Sequence, residues 1–203
     1  MKIVLAGGGT AGHIEPALAL ARTWRAKHSK DEIEFLGTKS GLENQLVPAA
    51  GFKLSHIPKV IIPRKASLSL FVAPTTLTQA FLESRAALRG ADLLVGFGGY
   101  VSGPAYLAAR SLNIPIVIHE ANAKPGLANR LGSLFTNYLA VAQPVTTGKL
   151  SRALITGLPL RAGVAQALQV SSQDWVSARN RAKAALGFNQ SAPVIVIFFG
   201  SQG

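Results

Sequence analysis

A chain of 203 residues that is 48% apolar and 15% charged has enough to bury for one large domain, or one domain and part of another, which excludes extended disorder. With no cysteine it has no disulfides and no thiolate metal sites, which is compatible with a reducing compartment. A formal charge of +12, from 21 Lys and Arg against 9 Asp and Glu, points to an anionic partner; the cations are scattered rather than clustered with stacking aromatics, so diphosphates and anionic lipid rank above nucleic acid.

Lys2 to Ala6 is a short apolar, β-branched run ending in glycines, and Pro16 to Lys27 places Ala17, Leu20, Ala21 and Trp24 at helical spacing. Strand, glycine turn and helix follow, and the glycines after Ala6 leave the apolar opening too short for a signal peptide. Glu32 to Gly37 reads as a second strand, Gly41 to Ala50 as a short helix, and Lys53 to Pro58 as a third strand. Thr75 to Arg89 is a longer helix with Leu77, Ala80, Phe81, Ser84 and Leu88 on one face, leading into a strand at Leu93 to Gly96. Next come a helix at Pro104 to Ser111, a strand at Pro115 to His119, a helix at Gly126 to Leu134, and strands at Tyr138 to Val141 and Ala153 to Thr156. Strands and helices alternating at this spacing predict an α/β fold with a parallel sheet covered on both faces. Leu158 to Asn189 is linker-like with one helix near Ser177 to Leu186, and Pro193 to Phe199 is an apolar strand followed by a glycine turn. No run approaches the roughly 20 apolar residues of a membrane-spanning helix.

Gly7, Gly9 and Gly12 satisfy G-x-G-x-x-G between a strand and a helix, where glycines admit an anion to the backbone and the helix start attracts it. A dinucleotide site would put an acid at the end of the second strand, but Gly37, Thr38 and Lys39 stand there. Lys39 leaves an NADP-dependent oxidoreductase domain open; a turn used only for packing is the other alternative. His13, in the first helical turn, is held neutral by the positive end of the helix, which suits a general base or a histidine that merely caps the turn. From Lys59 to Val72, the apolar Ile61, Ile62, Leu68, Leu70, Phe71 and Val72 join Lys59, Arg64 and Lys65. That composition fits an anionic membrane surface, or a loop packed under the neighbouring helix.

Five segments occur in order: GGGTAGHIEPALALA, FLGTKSGLENQLVPAAG, GFGGYVSGPAYLAA, HEANAKPGLANR, and GLPLR followed after a gap by FGSQG. Through them the whole chain resembles the MurG family, which transfers N-acetylglucosamine from UDP-GlcNAc to lipid I. The resemblance implies a Rossmann-like parallel sheet with helices on both faces, the N-terminal half of a GT-B glycosyltransferase. It divides the chain into an acceptor-binding domain over 1–157, a linker with a helix over 158–192, and the first strand and glycine turn of a donor-binding domain over 193–203. With most of that second domain absent, the chain alone is expected to be inactive. The implied substrates are UDP-GlcNAc and undecaprenyl-diphosphate-linked MurNAc-pentapeptide, the reaction an inverting transfer to the MurNAc 4-hydroxyl giving lipid II. Peptidoglycan synthesis, cell shape and cell division are the implied setting. A peripheral location on the cytoplasmic face of the cell membrane is implied, with no metal, cofactor or nucleic acid.

By the same resemblance His13 is the base, and Thr10, Ala11 and Gly12 contact substrate. So do Tyr100 and Ser102 of a second glycine loop containing Gly98, Gly99 and Gly103, and so do Glu120, Asn122, Asn129, Arg161 and Ser201. Read without it, Ser102 belongs to an ordinary strand-to-helix turn, Asn122 forms a turn, and Asn129 and Arg161 are solvated. The chain departs from the family at Ala11 and Phe199, where glycine is common, and at Leu158, where asparagine is. A basic nucleic-acid-binding module is the remaining rival.

Overall fold

The computed structural model describes residues 1–60 and 69–197, and for residues 69–74 the backbone alone. Seven parallel strands form one sheet: β1 (Lys2–Gly7), β2 (Glu32–Gly37), β3 (Lys53–His56), β4 (Leu93–Gly98), β5 (Ile116–Glu120), β6 (Tyr138–Val141) and β7 (Leu154–Ile155). They lie in the order β3-β2-β1-β4-β5-β6-β7. Helices α1 (Ala11–Lys27), α2 (Glu43–Ala49), α3 (Ser69–Ala87), α4 (Ser102–Ser111) and α5 (Leu127–Gly132) connect the strands.

Alternation along β1 shows why its sequence is apolar throughout. Ile3 and Leu5 pack with Ile14, Ala17, Leu18 and Ala21 of α1 and Val47 of α2. Val4 and Ala6 point the other way, into a core with Ala80 of α3 and Ala105, Tyr106, Ala108 and Ala109 of α4. Successive side chains of a strand face opposite sides, so a central strand with helices on both needs apolar residues at every position. Each such Leu, Ile or Val contributes roughly 1.5–3 kcal/mol on burial. The periphery is different: Lys2 and Lys53 each place an ammonium 3.2 Å from the buried Glu34 carboxylate, and both residues of β7 are exposed.

Several boundaries differ from the sequence expectation. α1 begins at Ala11 rather than at Pro16, because Thr10 is extended (φ −131°, ψ 155°) and the helix starts directly after it. Pro16 then withholds only the N–H that would pair with the Gly12 carbonyl. α3 likewise begins at Ser69 and runs through Pro74. The helix expected over Gly126 to Leu134 is α-helical only over Leu127–Gly132, after which Ser133–Phe135 tightens into a 3₁₀ segment.

The chain divides into two compact units, Met1–Pro159 and a second from Leu160 onward. In the second unit α6 (Ala162–Gln173) was not apparent from sequence, its Val164 and Leu168 being exposed and its composition small and polar. Asp174 caps α7 (Trp175–Ala185) by accepting the Ser177 N–H at 3.0 Å. The expected strand at Pro193 to Phe199 is not formed over 193–197, since a strand exists by pairing and no partner lies beside it among the described residues. Ile61, Ile62, Arg64, Lys65, Leu68, Phe199 and Ser201 lie outside the described residues, as do the side chains of Leu70, Phe71 and Val72.

Candidate active site

The strand order reverses between β1 and β4, and ligands of open α/β sheets bind beyond the carboxyl ends of the strands at such a point. The loops leaving β1 and β4 are the two glycine turns, and they touch backbone to backbone. A Cβ on Gly99 would lie 2.3 Å from the Gly8 carbonyl oxygen, and Gly99 has φ +81°, so both space and conformation require glycine. The Tyr100 ring covers Gly9, where a Cβ would meet it at 2.6 Å, and the Lys59 ammonium sits 4.9 Å from the centre of that ring.

His13 is the third residue of α1, half-buried between these turns. Its Nδ1 lies 3.1 Å from the Thr10 hydroxyl, a contact that diverts Thr10 from capping the helix. The opposite edge of the ring faces Gly98: a Cβ there would be 3.3 Å from His13 Nε2 and 3.2 Å from Asn129 Nδ2. Glycine at 98, with φ +94°, therefore keeps a small space open between an imidazole and a carboxamide. Burial lowers the His13 pKa below its ordinary value of 6.5, against the opposing pull of the Glu120 charge and the Gly8 carbonyl.

Asn129 is wholly buried, so the solvated helix position expected of it without the family resemblance is corrected. Tyr106 beneath it donates its hydroxyl to Asn129 Oδ1 at 2.7 Å. Gly96 and Gly132 give Tyr106 its room, since a Cβ on either would approach its ring or hydroxyl to 2.0 and 2.4 Å. Burial pushes the Tyr106 pKa upward, so the phenol stays a donor. Asn129 Nδ2 donates to Glu120 Oε2 at 3.0 Å, and the same oxygen accepts the Gly126 N–H at 3.0 Å. Glu120 Oε1 accepts both the backbone and side-chain N–H of Asn122, at 2.8 and 2.9 Å. The buried Glu120 thus organises the whole turn from β5 to α5, and the Asn122 carboxamide helps close that turn while remaining exposed.

Ser102, which the family resemblance gives as a substrate contact, is held inside the fold. It is fully buried, its Oγ accepting the Gly98 N–H at 3.1 Å and lying 2.9 Å from the Ala6 carbonyl, so it ties the ends of β1 and β4 together. Ala11 and Gly12 are exposed in the first turn of α1. Arg161 stands at the N-cap of α6 in the second unit. Two residues that sequence reasoning left out of the site border it. His119 donates Nε2–H to the Gly157 carbonyl at 2.9 Å, and its buried Nδ1 has no hydrogen-bond partner among the described residues. Glu43, wholly buried, accepts the Gly9 N–H at 3.2 Å and the Thr38 N–H at 2.9 Å. The only signal for Glu43 was its place in the FLGTKSGLENQLVPAAG segment; a buried carboxylate has no local sequence signature.

A model of the glycosyltransferase family 28 N-terminal domain matches residues 3–141. A protein of Acidothermus cellulolyticus, named UDP-N-acetylglucosamine--N-acetylmuramyl-(pentapeptide) pyrophosphoryl-undecaprenol N-acetylglucosamine transferase, is 47% identical over 205 residues, covering 100% of this chain and 53% of its own length. The Frankia casuarinae protein of the same name is 48% identical over 204 residues, covering 100% of this chain and 52% of its own. Among solved structures, MurG of Acinetobacter baumannii is similar with a TM-score of 0.62 at 31% identity, covering 72% of this chain and 42% of that one. UDP-GlcNAc 2-epimerase from Neisseria meningitidis, bound to UDP-GlcNAc, shares the fold with a TM-score of 0.55 at 16% identity, over 94% of this chain and 55% of that one. The chain spans about half the length of the curated relatives it matches.

Proposed function

This chain belongs to glycosyltransferase family 28, and from that premise we propose that it forms the acceptor side of an inverting transferase. Its sheet is that of the N-terminal half of a GT-B glycosyltransferase. The substrates are UDP-GlcNAc and undecaprenyl-diphosphate-linked MurNAc-pentapeptide, as the names of its relatives indicate. The product is lipid II, in peptidoglycan synthesis and hence in cell shape and division. The second unit, with exposed Ile195, Val196 and Ile197, begins the donor-binding domain, and Arg161 and Ser201 contact the donor. An NADP-linked reading has no support among the relatives, and Glu43 already holds the Gly9 amide that a dinucleotide phosphate would use. Nucleic-acid binding has no support there either.

The observation that carries the reading is the neutral His13 ring, with Thr10 on Nδ1 and the open space at Gly98 beside Nε2. The MurNAc 4-hydroxyl gives its proton to Nε2 while its oxygen attacks the anomeric carbon. The bond to UDP breaks on the opposite side, UDP leaves with the electron pair, and the new linkage is β-1,4. The Glu120 charge stabilises the imidazolium as it forms. General-base assistance supplies ~10²- to 10⁴-fold, about 3 to 5 kcal/mol. The remainder comes from alignment by Asn129, Asn122 and Tyr100, and from helix-start amides at Ala11, Gly12 and the second turn acting on diphosphate. His13→Ala in the full-length gene product should lower kcat by at least about 100-fold with KM little changed. Near-normal turnover of that variant ends the base assignment.

With a lipid-linked acceptor, the reading includes a peripheral location on the membrane, on its cytoplasmic face. No helix among the described residues is long and apolar enough to cross one. Support for a peripheral site comes from α5 and its surroundings, where a groove of about 530 Å³ is lined by Leu127, Leu131 and Leu134 and by Lys124, Arg130 and Lys149. Leu127 and Leu134 are 61% and 67% exposed. Exposed leucines rimmed by cations match an anionic lipid surface, and the same helix carries Asn129 of the site.

A further inference from the structure

The first glycine turn already holds an anion, and it is the protein's own. Glu43 is wholly buried, and among the described residues it makes no ion pair. Its charge is met instead by three donors: the Gly9 N–H on Oε2 at 3.2 Å, and on Oε1 the Thr38 N–H at 2.9 Å and the Thr38 hydroxyl at 3.1 Å. The seat is cleared by glycines on both sides. A Cβ on Gly8 would lie 3.0 Å from Oε1, one on Gly37 2.5 Å from Cγ, and one on Gly41 2.0 Å from Oε2. Two turns distant in sequence, at residues 8–9 and 37–41, are therefore shaped around one carboxylate.

The location of that carboxylate gives it a task. Gly7-Gly8-Gly9 is the most conformationally free run the chain could place before a reactive side chain, and freedom there would spread directly to Thr10. Thr10 in turn engages His13 Nδ1. We propose that Glu43 is the positioning residue for His13: it pins the triple-glycine turn through the Gly9 amide, so that Thr10 holds the imidazole toward Gly98 and Asn129. The Gly9 amide serves this internal carboxylate rather than a substrate phosphate, leaving the amides at Ala11 and Gly12 for a bound diphosphate. Its catalytic consequence rests on the reading of His13 as base; the positioning itself does not.

The test uses Glu43→Ala and Glu43→Gln, read by the imidazole and Gly9 amide NMR signals of this chain and by kinetics of the full-length gene product. Glu43→Ala leaves three donors around a cavity the size of an acetate ion, which a formate ion can enter. In Glu43→Ala the His13 and Gly9 signals should shift and broaden, and sodium formate, but not sodium chloride, should restore them. Kinetically kcat should fall roughly 10- to 100-fold, as for a reacting group displaced by about 1 Å, while KM for the lipid acceptor moves less than about twofold. Formate should recover part of the lost kcat. If Glu43→Ala does not fold, Glu43→Gln carries the decision, because its amide keeps the side-chain volume but cannot accept from Thr38 and Gly9 together. A folded variant with unchanged His13 signals overturns the proposal, as does a fall in KM, which would mean that Glu43 had been competing with a substrate phosphate. If instead His13→Ala is fully active while Glu43→Ala still displaces the ring and formate returns it, the base assignment fails and the positioning stands.

Discussion

As the proposed base, His13 combines two demands that pull against each other: it must be near enough to solvent and substrate to exchange a proton, and desolvated enough to stay neutral. Its burial lowers the pKa below 6.5, and the sign of the linkage follows. The unfolded chain binds a proton on this ring at higher pH than the folded one does. The folded state therefore loses stability as pH falls through 6.5 toward the lower folded value. Urea unfolding of wild type and His13→Gln between about pH 7 and 5 should show a shallower decline for the variant, and parallel declines would contradict the assigned desolvation. The position of His13 was legible from sequence because a glycine turn and a helix start are local features. Asn129 was named through the family resemblance, but its burial was not legible, since that depends on Tyr106, which has its room from the gaps at Gly96 and Gly132. Glu43 was missed for the same reason: two of its three donors are near in sequence, but the one that matters to His13 comes from 34 positions away.

At the scale of elements, α5 serves two surfaces. Its inward side supplies Asn129 to the site, and its outward side presents leucines beside Lys124 and Arg130. Replacing Leu127 and Leu134 by Ser should weaken sedimentation with anionic vesicles by at least about tenfold, given roughly 1.5–3 kcal/mol per leucine inserted. Neutralising Lys124 and Arg130 should cost about 1 kcal/mol each on anionic vesicles and nothing on neutral ones. Equal wild-type binding to both kinds of vesicle would remove the electrostatic part of this surface. From sequence, Lys59 to Val72, where apolar and basic residues are contiguous, is either a membrane contact or a loop packed under the neighbouring helix. The α5 face escapes such a reading because its leucines and Lys149 are brought together by the fold, with β6 intervening between them.

The sheet of the first unit is graded from a doubly covered centre to thin edges. β1 and β4 carry helices on both faces, whereas β7 is two exposed residues paired on one side with β6. Amide exchange should therefore be slowest in β1 and β4 and at least about 100-fold faster in β7 and in residues 194–197. Comparable protection of 194–197 and β1 would mean that the exposed apolar segment has a partner. By itself the sequence determined the alternation of strands and helices, the parallel sheet and the two glycine turns, because hydrophobic period and glycine punctuation are written within a few residues. Only the tertiary structure decided that Ser102 ties β1 to β4, that Asn129 is buried, and that a carboxylate from α2 occupies the first turn. Each of these depends on which distant backbone a side chain finds beside it, and that is set by the strand order, with β4 laid against β1 at the point where the sheet reverses.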